Sequence, residues 1–346
     1  MAIIDKPSDY FNTKLYTGTG SSNAITGVGF QPDFTWIKTR GVAESHVLFD
    51  AVRTNGYYLK SDATSAEING SSSGTNLWTS FDSDGFTVDS NGARTNTNTY
   101  TYASWNWKAG GTASSNTDGS ITSNVSANQD AGFSIVSYTG NATAGATIGH
   151  GLGVVPKVIF YKNRDQVVDW SVYTEMVGND KKLTLNLTTA SSVSAHYNST
   201  TPTSSFFTVG SSDRTNGSGD SMIAYCFAEK QGFSKFGSYT GNGSTDGTFV
   251  YTGFKPAFLL IKQTGATGKW LMIDNKRDPD NACNHRLNAD VSNAESTGVI
   301  FVDMLSNGWK LRTTSTDYNT SGVAGIYMAF AENPFVSSTG VPATAR

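Results

Sequence analysis

The tripeptide Tyr-Thr-Gly occurs at Tyr16, Tyr138 and Tyr239, and each copy opens the same longer pattern. A proline follows each tyrosine at nearly the same spacing (Pro32, Pro156, Pro256), with a lysine six positions beyond it (Lys38, Lys162, Lys262). Eight positions after those lysines come His46, Trp170 and Trp270. Next stand GFTV from Gly85, FFTV from Phe206 and GWKL from Gly308, and the units close on SWNWK, YCFAE and MAFAE. The step from Phe86 to Trp107 is matched, to within a single position, by those from Phe207 to Phe227 and from Trp309 to Phe330. Ordered landmarks at near-constant spacing mark a triplicated unit of about 100 residues. The pattern divides the chain into an N-terminal segment (1–11), repeats at 12–110, 132–231 and 232–336, a Gly/Ser/Thr/Asn-rich linker (111–131) and a C-terminal tail (337–346).

Each unit reads as β-structure. Apolar runs of five to seven residues alternate with Gly/Asn/Ser/Thr clusters, and glutamate, a strong helix former, is scarce. The segments PDFTWIK, PKVIFYK and PAFLLIK read as strands, apolar on both faces in the second and third repeats. A short turn leads to HVLFD, WSVYT and WLMID, so a hairpin centred on that turn sets Lys162 opposite Trp170 and Lys262 opposite Trp270. A lysine stem on an indole face there contributes about 0.5–1 kcal/mol. In the first repeat His46 stands beside Lys38, either as a cross-strand partner or as a ligand contact. The closing strand is large on one face (Ala103, Trp105, Trp107; Ile223, Tyr225, Phe227; Ile326, Met328, Phe330) and small on the other. A second layer lying close behind fits that contrast. The expected fold is all-β: three tandem β-sandwich domains, jelly-roll-like, each with its own core. The segment between Gly110 and Gly132, with its sparse apolar Ile121 and Val125, is expected to be extended and able to reach a neighbouring chain.

A net charge of −3 offers no basic stripe for nucleic acid, and no stretch approaches the ~20 apolar residues of a membrane helix. MAIIDKPSDY lacks the basic and apolar regions of a signal peptide, and Cys226 and Cys283 are too few for a disulfide scaffold. Cys226 reads as a small core residue.

Candidate chemistry is sparse. FDSDGF holds Asp82 and Asp84 in part of a calcium-loop pattern, but TPTSSFF from Thr201 and LSNGW from Leu305 keep the turn residues without the carboxylates. Asp50 with Arg53, and Asp274 with Arg277, form D-x-x-R, which the second repeat replaces by TEMV. They read as a local ion pair or as a sugar-binding carboxylate. His46, His150, His196 and His285 occur singly, without metal-ligand spacing, and His150 falls in a turn. Glu44, Glu67, Glu175, Glu229, Glu295 and Glu332 are scattered. Neither a nucleophile elbow nor a phosphate-cradling loop is present. No catalytic, cofactor-binding or metal-binding residue is assigned, and no cofactor is expected.

The run SWNWKAGG…TDGSITSNVSANQDAGFSIVSYTG…IGHGLGVVPKVIFYKNR, Ser104 to Arg164, resembles a tandem-repeat family of virion proteins from marine tailed bacteriophages, as do DKPSDYFNTKLYTG and AFAENPFVSSTGVPATAR. The resemblance covers essentially the whole chain and brings no catalytic residues. It implies a location on the virion, a non-enzymatic tail fibre or tail-tip component, and partners among other virion proteins, copies of itself as a homotrimer, and a host surface glycan or protein. Capsid decoration protein and glycan depolymerase are the alternative readings.

Overall fold

The computed structural model describes residues 3–53, 55–70, 77–89 and 92–340. Strands make up 43% of the chain and helix 2%, so the fold is all-β. Every repeat has an inner and an outer antiparallel sheet. In the first, the inner order is Phe11–Thr17, Thr101–Trp107, Phe34–Thr39, Val47–Asp50, and the outer order is Asn23–Thr26, Gly85–Val88, Ser80–Asp82. The same inner order recurs as Phe133–Thr139, Ser221–Phe227, Val158–Asn163, Ser171–Thr174, and as Ser234–Thr240, Ala324–Pro334, Phe254–Gln263, Leu271–Asp274. The shared four-stranded inner layer with its two- or three-stranded outer layer falls short of the eight strands of a complete jelly roll.

The hairpin register is the expected one. The ladder from Val158↔Thr174 to Tyr161↔Ser171 places Lys162 opposite Trp170 at its next step, and Phe258↔Asp274 to Ile261↔Leu271 does the same for Lys262 and Trp270. The amines do not rest on the indoles. Lys162 Nζ donates to the carbonyls of Val168 (2.7 Å) and Thr64 (3.1 Å), and Lys262 Nζ to those of Gly268 (2.7 Å) and Thr188 (3.0 Å). A buried ammonium needs acceptors more than it needs a π face.

Between the two layers of each repeat lies a local core, for example Ile37, Phe49, Phe86 and Tyr102 in the first. The inward faces form something the repeat pattern does not announce. Phe34, Trp105 and Trp107 share one buried cluster with Phe133, Tyr225 and Phe227 and with Phe258, Met328 and Phe330. Trp107, Phe227 and Phe330 meet in a triangle, with ring centroids 5.6, 6.1 and 6.4 Å apart. Each such pair adds about 0.5–1.5 kcal/mol beyond the area it buries. Each repeat therefore keeps a core of its own between its layers and also contributes one wall of a common interior, the three arranged about a pseudo-three-fold axis.

The walls are tied in a cycle. Glu67 N donates to Arg164 O (2.7 Å), Ser191 N to Thr264 O (2.9 Å) and Glu295 N to Arg40 O (2.7 Å), so the same bond joins repeat one to two, two to three and three to one. The segment expected to be a free linker is also sheet. Ser114–Asn116 and Ser123–Asn128 extend the inner sheet of the second repeat, with Val125 opposite Val136 and buried, and Ile121 bridged to Ile148. Its two apolar residues are thus already used within the chain. The N-terminal stretch packs over one end of the axis: Ile4 N donates to Gln231 O (3.0 Å), and Asp5 accepts from Ser338 N (2.7 Å). Residues 3–5, the 229–232 connection and the stretch around Ser338 thus lie together. Of the expected tail, 341–346 lie outside the described residues.

Candidate interaction surface

The repeated Tyr-Thr-Gly is a structural lock. Tyr16, Tyr138 and Tyr239 hydroxyls donate to the carbonyls of Thr95 (2.8 Å), Thr215 (2.5 Å) and Tyr318 (2.7 Å). A Cβ on Gly18, Gly140 or Gly241 would collide with a carbonyl oxygen of that same loop. The loop is held by a buried asparagine. Asn96, Asn216 and Asn319 accept through Oδ1 from the amides of Thr19 (2.9 Å), Asn141 (2.8 Å) and Asn242 (2.9 Å). Their Nδ2 groups donate to carbonyls of the facing loop, Asn216 to Gly210 (2.8 Å) and Asn319 to Thr313 (2.7 Å). These asparagines follow their tyrosines at a spacing as regular as that of the prolines, a further landmark hidden among abundant Asn.

The D-x-x-R carboxylates are fully enclosed and tie repeats together. Asp50 accepts from Arg53 Nε (2.5 Å) and from the hydroxyl of Tyr225 in the second repeat (2.7 Å). Arg53 continues to Glu67 (2.9 Å), and Glu67 to Arg164 (2.7 Å). Asp274 repeats this with Arg277 Nε (2.5 Å) and the Trp105 indole (3.0 Å), and Glu295 links Arg277 to Arg40. In the second repeat Thr174 and Val177 replace the pair, with Met176 and Val177 packed against the common core. A sugar cannot reach either carboxylate, which leaves the ion-pair reading.

Asp84 spends both oxygens on the amides of Gly27 (2.9 Å) and Gly29 (2.7 Å), bonds that lower its pKa, while Asp82 accepts from Ser80 (2.7 Å) and Thr87 (2.6 Å). Among the described residues no group of three or more His, Cys, Asp or Glu is placed to hold a metal. His46 is buried between Trp36 and the Asn288 carbonyl, and His150 sits in its turn with Nε2 3.0 Å from Thr203 O. His196 meets buried Ser171 (2.8 Å), and His285 meets Asp278 (2.6 Å). Burial pushes the Cys226 thiol up, and that of Cys283 up to about 12, so neither is a reactive thiolate. Burial lowers Lys38, Lys162 and Lys262 to about 8.

Exposed large apolar side chains fall mainly on the second and third repeats, and in the third two exposed aromatic rings stand together. Phe249 and Tyr251 project from the same face of an outer-sheet strand, 45% and 53% exposed, with Lys235 Nζ 5.7 Å from the Tyr251 ring centre. Beside them opens a cleft of about 460 Å³, walled by Tyr251, Lys235, Glu229, Gly253, Ile3 and Val336. Its volume falls within the ~300–1,000 Å³ of ligand-binding clefts. Strand alternation did not single out these aromatics, because the pattern of repeat positions hides which edge another segment covers.

The architecture defines a class: an all-β protein of three interlocked repeats about a common core. Across residues 6–334 the chain matches one family model, described as a domain of unknown function, DUF7483, and the chain belongs to that family. No curated protein and no solved structure matches it.

Proposed function

We propose that the protein is a non-enzymatic structural component of a bacteriophage virion surface, a tail fibre or tail-tip part that contributes to host attachment. The observation that carries this reading is the closed three-walled body about a common interior, which leaves the outer faces of all three repeats directed outward. The sequence resemblance to phage virion repeats supports the same reading. One chain already supplies three inward faces, so a homotrimer is not needed to bury them. Self-association, where it occurs, serves multivalent display, which multiplies avidity by about 10²–10⁴ when geometry permits.

Capsid decoration is the second reading, favoured by the pseudo-three-fold body, which fits a local three-fold position on a shell. Mass spectrometry of purified particles combined with a density map tests both. Density for a three-lobed body at the tail is the expected result. Density on the shell transfers the protein to the second reading, and absence from the particle overturns both. Release of reducing ends from a bacterial surface glycan by the purified protein would replace them with an enzyme.

A further inference from the structure

One of the three repeats shows what its outer edge binds. In the second repeat, the strand Ala146–Gly149 is the edge of its outer sheet, and the chain itself lies along it. Ile121 N donates to Thr147 O (3.0 Å), Ser120 N to Thr147 Oγ1 (2.8 Å), and Thr147 N to Ser120 Oγ (2.9 Å). Ile121 and Ile148 form a parallel bridge. The segment is extended, and it approaches so closely that a Cβ on Gly119 would collide with the Thr147 carbonyl.

The corresponding strand of the third repeat is Phe249–Tyr251. Val250 faces Trp309 as Ile148 faces Phe207, so Phe249 occupies the position of Thr147. Among the described residues no segment lies along this edge. In the first repeat the same strand, Asn23–Thr26, is also uncovered, but there the two outward positions are Ala24 and Thr26. The fold therefore does not require aromatics at these sites, and among the described residues only the third repeat combines an open edge with two large exposed rings. Open edges are templates for strand addition, and alternate side chains then set specificity.

We infer that the Phe249–Tyr251 edge is a docking site for an extended polypeptide segment from another protein, added parallel as Gly119–Ile121 is added to Ala146–Gly149, with apolar side chains covering the two rings. Backbone bonding at Phe249 supplies the register, and the aromatics supply the preference for an apolar strand. This inference does not depend on where the protein resides.

The test uses the purified full chain and a synthetic peptide of residues 117–125, TDGSITSNV, the segment that performs this pairing within the molecule. Freed from the chain it loses its effective concentration, so half-saturation is expected at about millimolar peptide. Backbone amide NMR should show saturable shifts at residues 248–252 and 308–310, none at 23–26, and a loss of at least tenfold in affinity in the variant Phe249→Glu/Tyr251→Glu. That variant alters exposed side chains only, and its unchanged remaining spectrum verifies folding. No saturable shift at 248–252, or equal shifts in the variant, overturns the proposal. Sedimentation showing that wild type self-associates through this edge, while the variant does not, assigns the edge to a second copy instead. Shifts at the same residues from a soluble oligosaccharide such as maltopentaose, without response to peptide, assign the surface to a glycan.

Discussion

His46 Nδ1 accepts the indole N–H of Trp36 at 2.9 Å. Indole nitrogen only donates, so Nδ1 is unprotonated and the imidazole proton sits on Nε2, 3.0 Å from Asn288 O. The neutral ring thus latches repeat one to repeat three, the one joint that no peptide connection spans. Burial, with Lys38 and Arg277 adding positive charge nearby, lowers its pKa well below the usual value. The folded state binds the proton more weakly than the unfolded state. Stability from this group is therefore complete above about pH 6.5 and declines as pH falls through it toward the folded value. Unfolding free energy should fall between pH 6.5 and 5 by roughly 1–2 kcal/mol through this group, and His46→Gln should remove that share, leaving the declines due to His150 and His196, whose pKa burial also lowers. An unchanged slope in the variant would clear His46 of the role.

The three buried lysines give the opposite end of the pH scale. Their pKa is lowered from 10.5 to about 8 by burial, so the folded state releases protons first. Stability should rise as pH climbs from about 8 toward 9.5, before tyrosine ionisation, which favours the unfolded chain, takes over. Single substitutions Lys38→Met, Lys162→Met and Lys262→Met should each remove about one third of the rise, whatever they do to stability at neutral pH. Thermal melts across that range supply the measurement.

Asp50 and Arg53 are safer removed together than apart. Asp50→Thr alone leaves a buried guanidinium without its nearest carboxylate, at a cost of about 3–5 kcal/mol. The second repeat accommodates Thr174 and Val177 at these positions. Asp50→Thr/Arg53→Val should consequently lose less than Asp50→Thr in urea unfolding. A double variant as unstable as the sum of the singles would refute the comparison.

Asn96, Asn216 and Asn319 should be the least replaceable polar residues. Alanine at any one removes the partner of a loop amide and of two or more carbonyls, costing about 2–4 kcal/mol. Asn124, equally an asparagine but on the exposed side of its strand, should cost under ~0.5 kcal/mol.

Because Trp107, Phe227 and Phe330 share one interior, unfolding should follow a single transition detected alike by near- and far-ultraviolet circular dichroism. Residues 132–231 expressed alone should fail to reach a cooperative fold. Three separable transitions would restore independent domains.

Much of each repeat is legible in sequence. Period-two alternation and a centred turn suffice to place Lys162 opposite Trp170, and repeat comparison suffices to demote the Asp82/Asp84 turn. The common axis is not legible. Phe227 presents the same apolar face whether it packs within its own repeat or against Trp107 and Phe330. Composition also misleads at 111–131, since Gly, Ser, Thr and Asn suit an exposed edge strand as well as a loop; only Val125 and Ile121 betray the pairing. The role of Asp50 and Asp274 depends on Tyr225 and Trp105 arriving from other repeats, far beyond the reach of any local pattern.

The closed ring of three fused repeats frees the chain from a constraint that a true trimer obeys. In a homotrimer every substitution is made three times, once per subunit. Here Phe249 and Tyr251 arise on one wall while Thr147 and Gly149 stay on the second and Ala24 and Thr26 on the first. Each face is free to diverge by itself while the shared interior holds the other two in place, so a single gene carries the versatility of a hetero-oligomer without having to sort its subunits.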